Sequence, residues 1–171
     1  MLVSKNYGIV EILKFYKYKK QTSDKPITSS HINATFLVIV ESPSKCNKIE
    51  HYLGSDYQCI ASKGHIREIN GLKNIDTKHN FEPTFDIIPE KRSHVQGMRE
   101  VIQSFKKQNI ILATDDDREG EGIAWHICTI FGLPIETTQR IVFHEITQSA
   151  ILTAIQNPRT INMDLVSAQK A

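Results

Sequence analysis

Thr114-Asp-Asp-Asp-Arg-Glu-Gly-Glu121 places five carboxylates within seven residues, directly after the apolar run Asn109-Ile-Ile-Leu-Ala113. Acids this close repel one another, and packing the end of a strand does not require them. A hard divalent cation held by oxygen ligands relieves that repulsion. In an extended backbone, side chains at i and i+2 share a side. Asp115 and Asp117 are then expected to converge while Asp116 points away. Glu119 and Glu121 fall at the start of a helix, where the dipole favours negative charge. A second reading stays open: a solvated acidic loop followed by acids that serve only the helix dipole. It accounts for Glu119 and Glu121 well and for the three aspartates poorly.

A further acid, Glu41, ends the apolar run Phe36-Leu-Val-Ile-Val40. In open α/β sheets, ligands collect at the carboxyl ends of strands. If the two strands are neighbours, Glu41 faces Asp115 and Asp117. Magnesium suits such a place, because it takes one or two carboxylates and keeps waters that phosphate oxygens can replace. In Glu41-Ser-Pro-Ser-Lys45, strand meets helix; backbone N–H groups and Lys45 there can reach a phosphate. The glycines of a P-loop are missing, and a simple capped turn with an exposed lysine is the alternative. Lys63-Gly-His-Ile-Arg67 puts His65 and Arg67 beside a glycine, which suits a loop touching a nucleic-acid backbone. Arg140 and His144 flank the last strand, although a lone histidine is more often structural. Trp125 reads as core rather than as a base-stacking platform. Ser, Cys and His show no hydrolytic spacing.

These residues need elements to position them. The runs 36–40, 57–61, 110–113 and 141–143 read as strands. Ser42-Pro43 starts a helix that stops at Gly54. Ser93 caps a second helix, with Val95, Met98, Val101, Ile102 and Phe105 as its stripe. A third runs from about Glu119 to Phe131, closed by Gly132. Thr147 caps a fourth, ended by Pro158. Gly64 and Gly71 bracket a loop, and residues 73–92 look irregular. Strands alternating with amphipathic helices predict an α/β domain with a largely parallel central sheet flanked by helices.

The chain has 171 residues, 40% hydrophobic, which suits one domain. Its net charge is +2, but residues 1–35 hold six lysines against Glu11 and Asp24, a local +4 that leaves −2 elsewhere. A basic arm fits a polyanionic partner, and fits a solvated leader equally well. The polar stretch 21–35 reads as a linker. The three cysteines, 46, 59 and 128, lack metal-type spacing and read as small core residues of a reducing compartment. No stretch approaches the roughly 20 apolar residues of a membrane span, and the N-terminus lacks a signal peptide's apolar core. A soluble intracellular protein is the expectation.

Six stretches together resemble the N-terminal Toprim domain of type IA DNA topoisomerases, in the bacterial-type topoisomerase I branch. They are Leu37-Val-Ile-Val-Glu-Ser-Pro-Ser-Lys45, Tyr52-Leu-Gly-Ser-Asp-Tyr57, Lys63-Gly-His-Ile-Arg67, Leu112-Ala-Thr-Asp-Asp-Asp-Arg-Glu-Gly-Glu121, Ile123-Ala-Trp-His126 and Val142-Phe-His-Glu-Ile-Thr147. They stand in family order, and six in order are far more specific than any one.

The resemblance implies a Rossmann-like Toprim fold over residues 36–160, preceded by a basic extension (1–35) and followed by the start of another domain (161–171). It implies that Glu41 assists strand cleavage and religation, and that Glu41, Asp115, Asp117 and Glu119 hold Mg²⁺. Lys45 then stabilises the scissile phosphate, and His65, His144 and Thr147 contact DNA, with Arg67 and Arg140 joining them as candidate DNA contacts on the local reading above. The family relaxes negatively supercoiled DNA through a transient single-strand break and a 5′-phosphotyrosyl link. None of the five tyrosines (7, 16, 18, 52, 57) stands in the nucleophile's motif. A fragment inactive by itself is therefore expected, with DNA and the remaining topoisomerase domains as partners, no membrane, and a DNA-containing compartment. Two other readings remain: a stand-alone Toprim nuclease or primase-like enzyme, and a non-catalytic nucleic-acid module using the basic arm.

Overall fold

The structure, a computed structural model, describes residues 33–69, 75–76 and 82–170. Most of the basic extension, and Gly71, lie outside the described residues. Strand β1 is Phe36–Val40, followed by helix α1, Pro43–Leu53, and strand β2, Tyr57–Ala61. Short strands follow at Arg67–Glu68 (β3), Ile75–Asp76 (β4), Glu82–Pro83 (β5) and Asp86–Ile87 (β6). Then come α2 (Arg92–Gln103), β7 (Ile110–Leu112), α3 (Arg118–Phe131), β8 (Gln139–Arg140), α4 (Gln148–Gln156) and α5 (Met163–Lys170).

The main sheet has four strands in the order β2-β1-β7-β8, all parallel. The mixed α/β layout expected from the sequence is thus what forms. Val38 pairs with Cys59 on one side and Ile111 on the other, so β1 is central. Its side chains alternate between two apolar layers. Leu37 and Ile39 pack with Ile123 and Ile127 of α3 and Met98 of α2. Val38 and Val40 pack with Ile49 of α1 and Ile151 of α4. All four strand residues are fully buried. That is why β1 is apolar on every position, as a strand covered on both faces must be.

Several boundaries differ from the sequence expectation. Residue 92 rather than Ser93 begins α2, because a 3₁₀ turn at Pro89–Lys91 leads straight into it and Lys91 holds the cap position. Ser42 has the extended backbone of an N-cap, but its hydroxyl meets Ser44 Oγ at 2.8 Å and caps nothing. The fourth strand is Gln139–Arg140 and not 141–143; Ile141 is buried as expected, yet ladder pairing with β7 ends at Arg140. The irregular stretch contains β4, β5 and β6, with β6 pairing antiparallel to β3 and β5 to β4. Gly132 (φ 64°) closes α3 in the left-handed conformation of a glycine stop, and Gly54 (φ 85°) ends α1 with a positive φ that only glycine takes easily. Cys46, Cys59 and Cys128 are buried and unbridged, and burial pushes the Cys128 thiol up to about 11.

Helix α5 lies on α3. Its Val166 and the preceding Ile161 belong to the same buried layer as Leu37. The helices approach so closely that a Cβ added to Gly122 would sit 3.1 Å from Gln169 Cγ. Among the described residues, no helix is long and apolar enough to cross a membrane.

Candidate functional site

The carboxyl ends of β1 and β7 lie side by side, and the acids follow both. Glu41 comes first after β1. Its Oε1 accepts from the backbone N–H of Asp115 at 2.8 Å, linking two segments 74 residues apart. Burial above all, with the charges of Asp115 and Asp117, pushes the Glu41 carboxyl above the usual carboxylate range. The Asp115 N–H and Lys45 pull the other way. Lys45, in the first turn of α1, reaches across to Asp115 Oδ1 at 2.5 Å. Lysine and acid are thus brought together by a helix that starts at the tip of the strand carrying Glu41.

The other carboxylates take different donors. Asp117 caps α3, its Oδ1 accepting from Gly120 N–H at 2.6 Å. Glu119 Oε1 lies 2.7 Å from His65 Nε2. Asp116 turns to Arg159 at 2.7 Å and stands 3.7 Å from His144. The carboxylates are therefore held by separate donors. Among the described residues, no three His, Cys, Asp or Glu side chains converge as ligands. The physical reason is local: a cap, a histidine and a lysine each attract one acid. The donor chemistry nonetheless fits Mg²⁺, which needs only one or two carboxylates with water completing its shell, and Glu41 and Asp115 adjoin.

The loop after β2 folds onto this edge. Ser62 N–H donates to Val40 O at 2.8 Å, and Gly64 N–H to Glu41 O at 3.3 Å. The chain turns by left-handed backbone at Lys63 (φ 61°) and Gly64 (φ 81°). A non-glycine residue there is strained, and Lys91 Nζ holds the Lys63 carbonyl at 2.5 Å. This turn delivers His65 to Glu119.

Arg67 is half-buried. Its Nε donates to His126 Nδ1 at 2.9 Å, and its guanidinium lies 5.4 Å from the Phe85 ring centre and 5.1 Å from that of Trp125. Burial, followed by the charges of Arg67, His65 and Lys170, drives His126 down to about 3. Trp125 is half-buried, with Lys170 Nζ 3.8 Å above its ring. Among the described atoms, Arg67 NH2 is buried without a hydrogen-bond partner.

Arg140 is not exposed at all, and its donors are spent internally. They reach Glu121 Oε1 (2.9 Å), Thr114 O (2.8 Å), Thr114 Oγ1 (2.7 Å) and Asp115 O (2.8 Å). In this structure it faces the interior and holds the backbone of the acidic loop. His144 is 83% exposed. The Thr147 hydroxyl accepts from Ala150 N–H at 3.3 Å and so caps α4, as its position in the sequence implied.

Sequence reasoning missed the roles of Glu121 and Arg159. Glu121 is fully buried, not an exposed dipole acid. The signal was available: Glu121, Ala124, Cys128 and Phe131 share one helical stripe, and all are buried. An acid on an apolar stripe needs a buried cation.

The sequence profile of the Toprim domain matches residues 36–146. Among solved structures, full-length topoisomerase I from Thermotoga maritima, in a monoclinic crystal form, superposes with a TM-score of 0.68 at 38% sequence identity. The match covers 78% of this chain and 22% of that one.

Proposed function

Because this chain belongs to the Toprim domain family, we propose that it serves as the Toprim portion of a type IA DNA topoisomerase. That enzyme would relax negatively supercoiled DNA by way of a transient single-strand break. The observation that carries the reading is Glu41 hydrogen-bonded to Asp115 at the tips of adjacent parallel strands, with Lys45 alongside. The likeness to topoisomerase I of Thermotoga maritima supports it.

In this reading Glu41, Asp115, Asp117 and Glu119 would hold Mg²⁺, with Glu41 and Asp115 already adjoining, and the ion would supply positive charge to phosphate oxygens. Lys45 neutralises the phosphate that is cut and resealed. Glu41 Oε1 is engaged by Asp115 N–H, so Oε2 is the atom that exchanges a proton with the departing or attacking DNA hydroxyl. A raised pKa suits that task, since a general acid-base group works best near the ambient pH. His65, Arg67, His144 and Thr147 flank the DNA strand, and Arg140 keeps the loop in place. The nucleophilic tyrosine comes from another domain. Tyr57 starts β2 opposite Phe36, five residues before Glu41 and so roughly 17 Å from it at strand rise, and Tyr52 lies in the last turn of α1, the helix end away from Glu41. Residues 161–171 then lead towards that other domain. Residues 1–35 are a basic extension, and the protein works in a DNA-containing intracellular compartment.

The test uses the purified chain with supercoiled plasmid and MgCl₂. Weak Mg²⁺ binding without relaxation or cleavage is expected. Efficient relaxation by the chain alone overturns the reading. Metal-dependent nicking without a covalent link, or primer synthesis, supports the nuclease or primase alternative. Salt-sensitive DNA binding that depends on residues 1–35 and ignores Asp115 and Asp117 supports the binding module.

A further inference from the structure

We infer that Glu121, Arg159 and Asn162 couple the acidic loop to helix α5, so that order in one sets order in the other. Glu121 is fully buried and holds three partners. Its Oε1 accepts from Arg140 Nε and from Arg159 NH2, each at 2.9 Å. Its Oε2 accepts from the backbone N–H of Asn162 at 3.0 Å. The same Arg159 nitrogen also donates to Asp116 Oδ1 at 2.7 Å, in the middle of the acidic loop. Arg159 is anchored by its backbone as well, pairing with Arg140 through bonds of 2.7 and 2.8 Å.

Asn162 completes the chain of contacts. Its Oδ1 accepts from Asp164 N–H at 3.0 Å and from Leu165 N–H at 3.3 Å. Its carbonyl takes Val166 N–H at 3.2 Å. Asn162 therefore caps α5 while its own N–H is held by Glu121. Displacing α5 withdraws a donor from a buried carboxylate, and a buried charge that loses a partner is costly. Glu121 then repositions Arg159, and Arg159 moves Asp116, which sits between Asp115 and Asp117. By linkage the influence runs equally in both directions. The relation rests on the functional reading only for what the loop does, not for the coupling itself.

Amide hydrogen exchange on the whole chain tests this, for the wild type, Asp116→Asn, Arg159→Ala and Arg159→Lys, without and with MgCl₂. Asp116 and Arg159 are 32% and 44% exposed, and Arg140 still pairs with Glu121 in every variant, so the fold is kept. Without metal, Asp116→Asn and Arg159→Ala are expected to speed exchange at the amides of Asp164, Leu165 and Val166 by about fivefold or more, with β1 unchanged. Arg159→Lys keeps the charge but not the planar fork, and falls between. With MgCl₂, the α5 amides slow in the wild type and not in Arg159→Ala. Unchanged α5 exchange in both variants, or a rise spread evenly over the chain, overturns the coupling. So does Mg²⁺ that alters the loop of the wild type and leaves α5 untouched. Substitution effects that persist while MgCl₂ alters nothing uphold the coupling and sink the functional reading instead.

Discussion

Arg140 and Glu121 meet at 2.9 Å with neither side chain exposed. Breaking such a pair leaves buried Glu121 with Arg159 as its remaining cation and costs up to about 3–5 kcal/mol. Arg140→Met should lower the unfolding free energy by that order, read from urea denaturation. Arg140→Lys should recover less than half, since lysine cannot also span the Thr114 and Asp115 carbonyls. A loss below about 0.5 kcal/mol for Arg140→Met, the size of an ordinary surface change, would contradict the clamp.

Glu41→Gln should separate stability from metal binding. The folded-state pKa of Glu41 is raised, chiefly by burial. Its stabilising contribution is therefore complete below the ordinary carboxylate range and is lost as pH rises through the folded value. Above that folded value the ionised side chain burdens the fold. Glutamine removes that charge and keeps an acceptor for Asp115 N–H. Thermal denaturation should give an equal or higher Tm, while calorimetric Mg²⁺ affinity falls at least about tenfold, the scale of losing a metal-site partner. In the wild type, affinity should fall with acid through an inflection above the usual glutamate value. A destabilised variant that binds Mg²⁺ normally would refute both halves.

His126 sets an acid limit. Its pKa drops from 6.5 to about 3 in the fold, mainly through burial. The unfolded chain takes up the proton first as pH falls. Stability present above pH 6.5 is lost progressively towards pH 3. Between pH 7 and 5 the loss should be roughly 1–2 kcal/mol, seen as a shift in the urea midpoint. His126→Gln should flatten that slope; an equally steep slope would assign it to other groups.

Gly120→Ala should disturb the acidic loop. A Cβ there would overlap the carbonyl oxygen of Asp115, which is also an acceptor for Arg140. Backbone must shift, at about 1–3 kcal/mol for overpacking. The Asp117 cap on Gly120 should be lost with it. Lower Tm together with weaker Mg²⁺ binding is the expected pair of results. Alanine accommodated without change in either would mean the loop is looser than drawn.

The apolar strands were legible because a doubly covered strand has no polar position to hide it, as in Phe36–Val40. Gly54 and Gly132 announced their helix ends. The last strand was not legible, because its buried residue is Arg140, and hydropathy moves the strand to Ile141–Phe143. Arg140 read as a DNA contact for the same reason: cations default to the surface unless a partner is known. That partner, Glu121, precedes it by 19 residues, and Arg159 follows by another 19. No local pattern links the three. The adjacency of Glu41 and Asp115 was foreseeable from strand topology, whereas the individual donors drawing Asp117 and Glu119 aside depend on side-chain directions that spacing does not encode.

Strand β1 sends Leu37 and Ile39 to one layer and Val38 and Val40 to the other, and Glu41 stands at its tip. Neither half of the interior can melt while the other survives around an intact β1. Heating should thus erase metal affinity in the same single transition that dissolves the sheet, leaving no warm, partly folded species that still carries a working acidic tip.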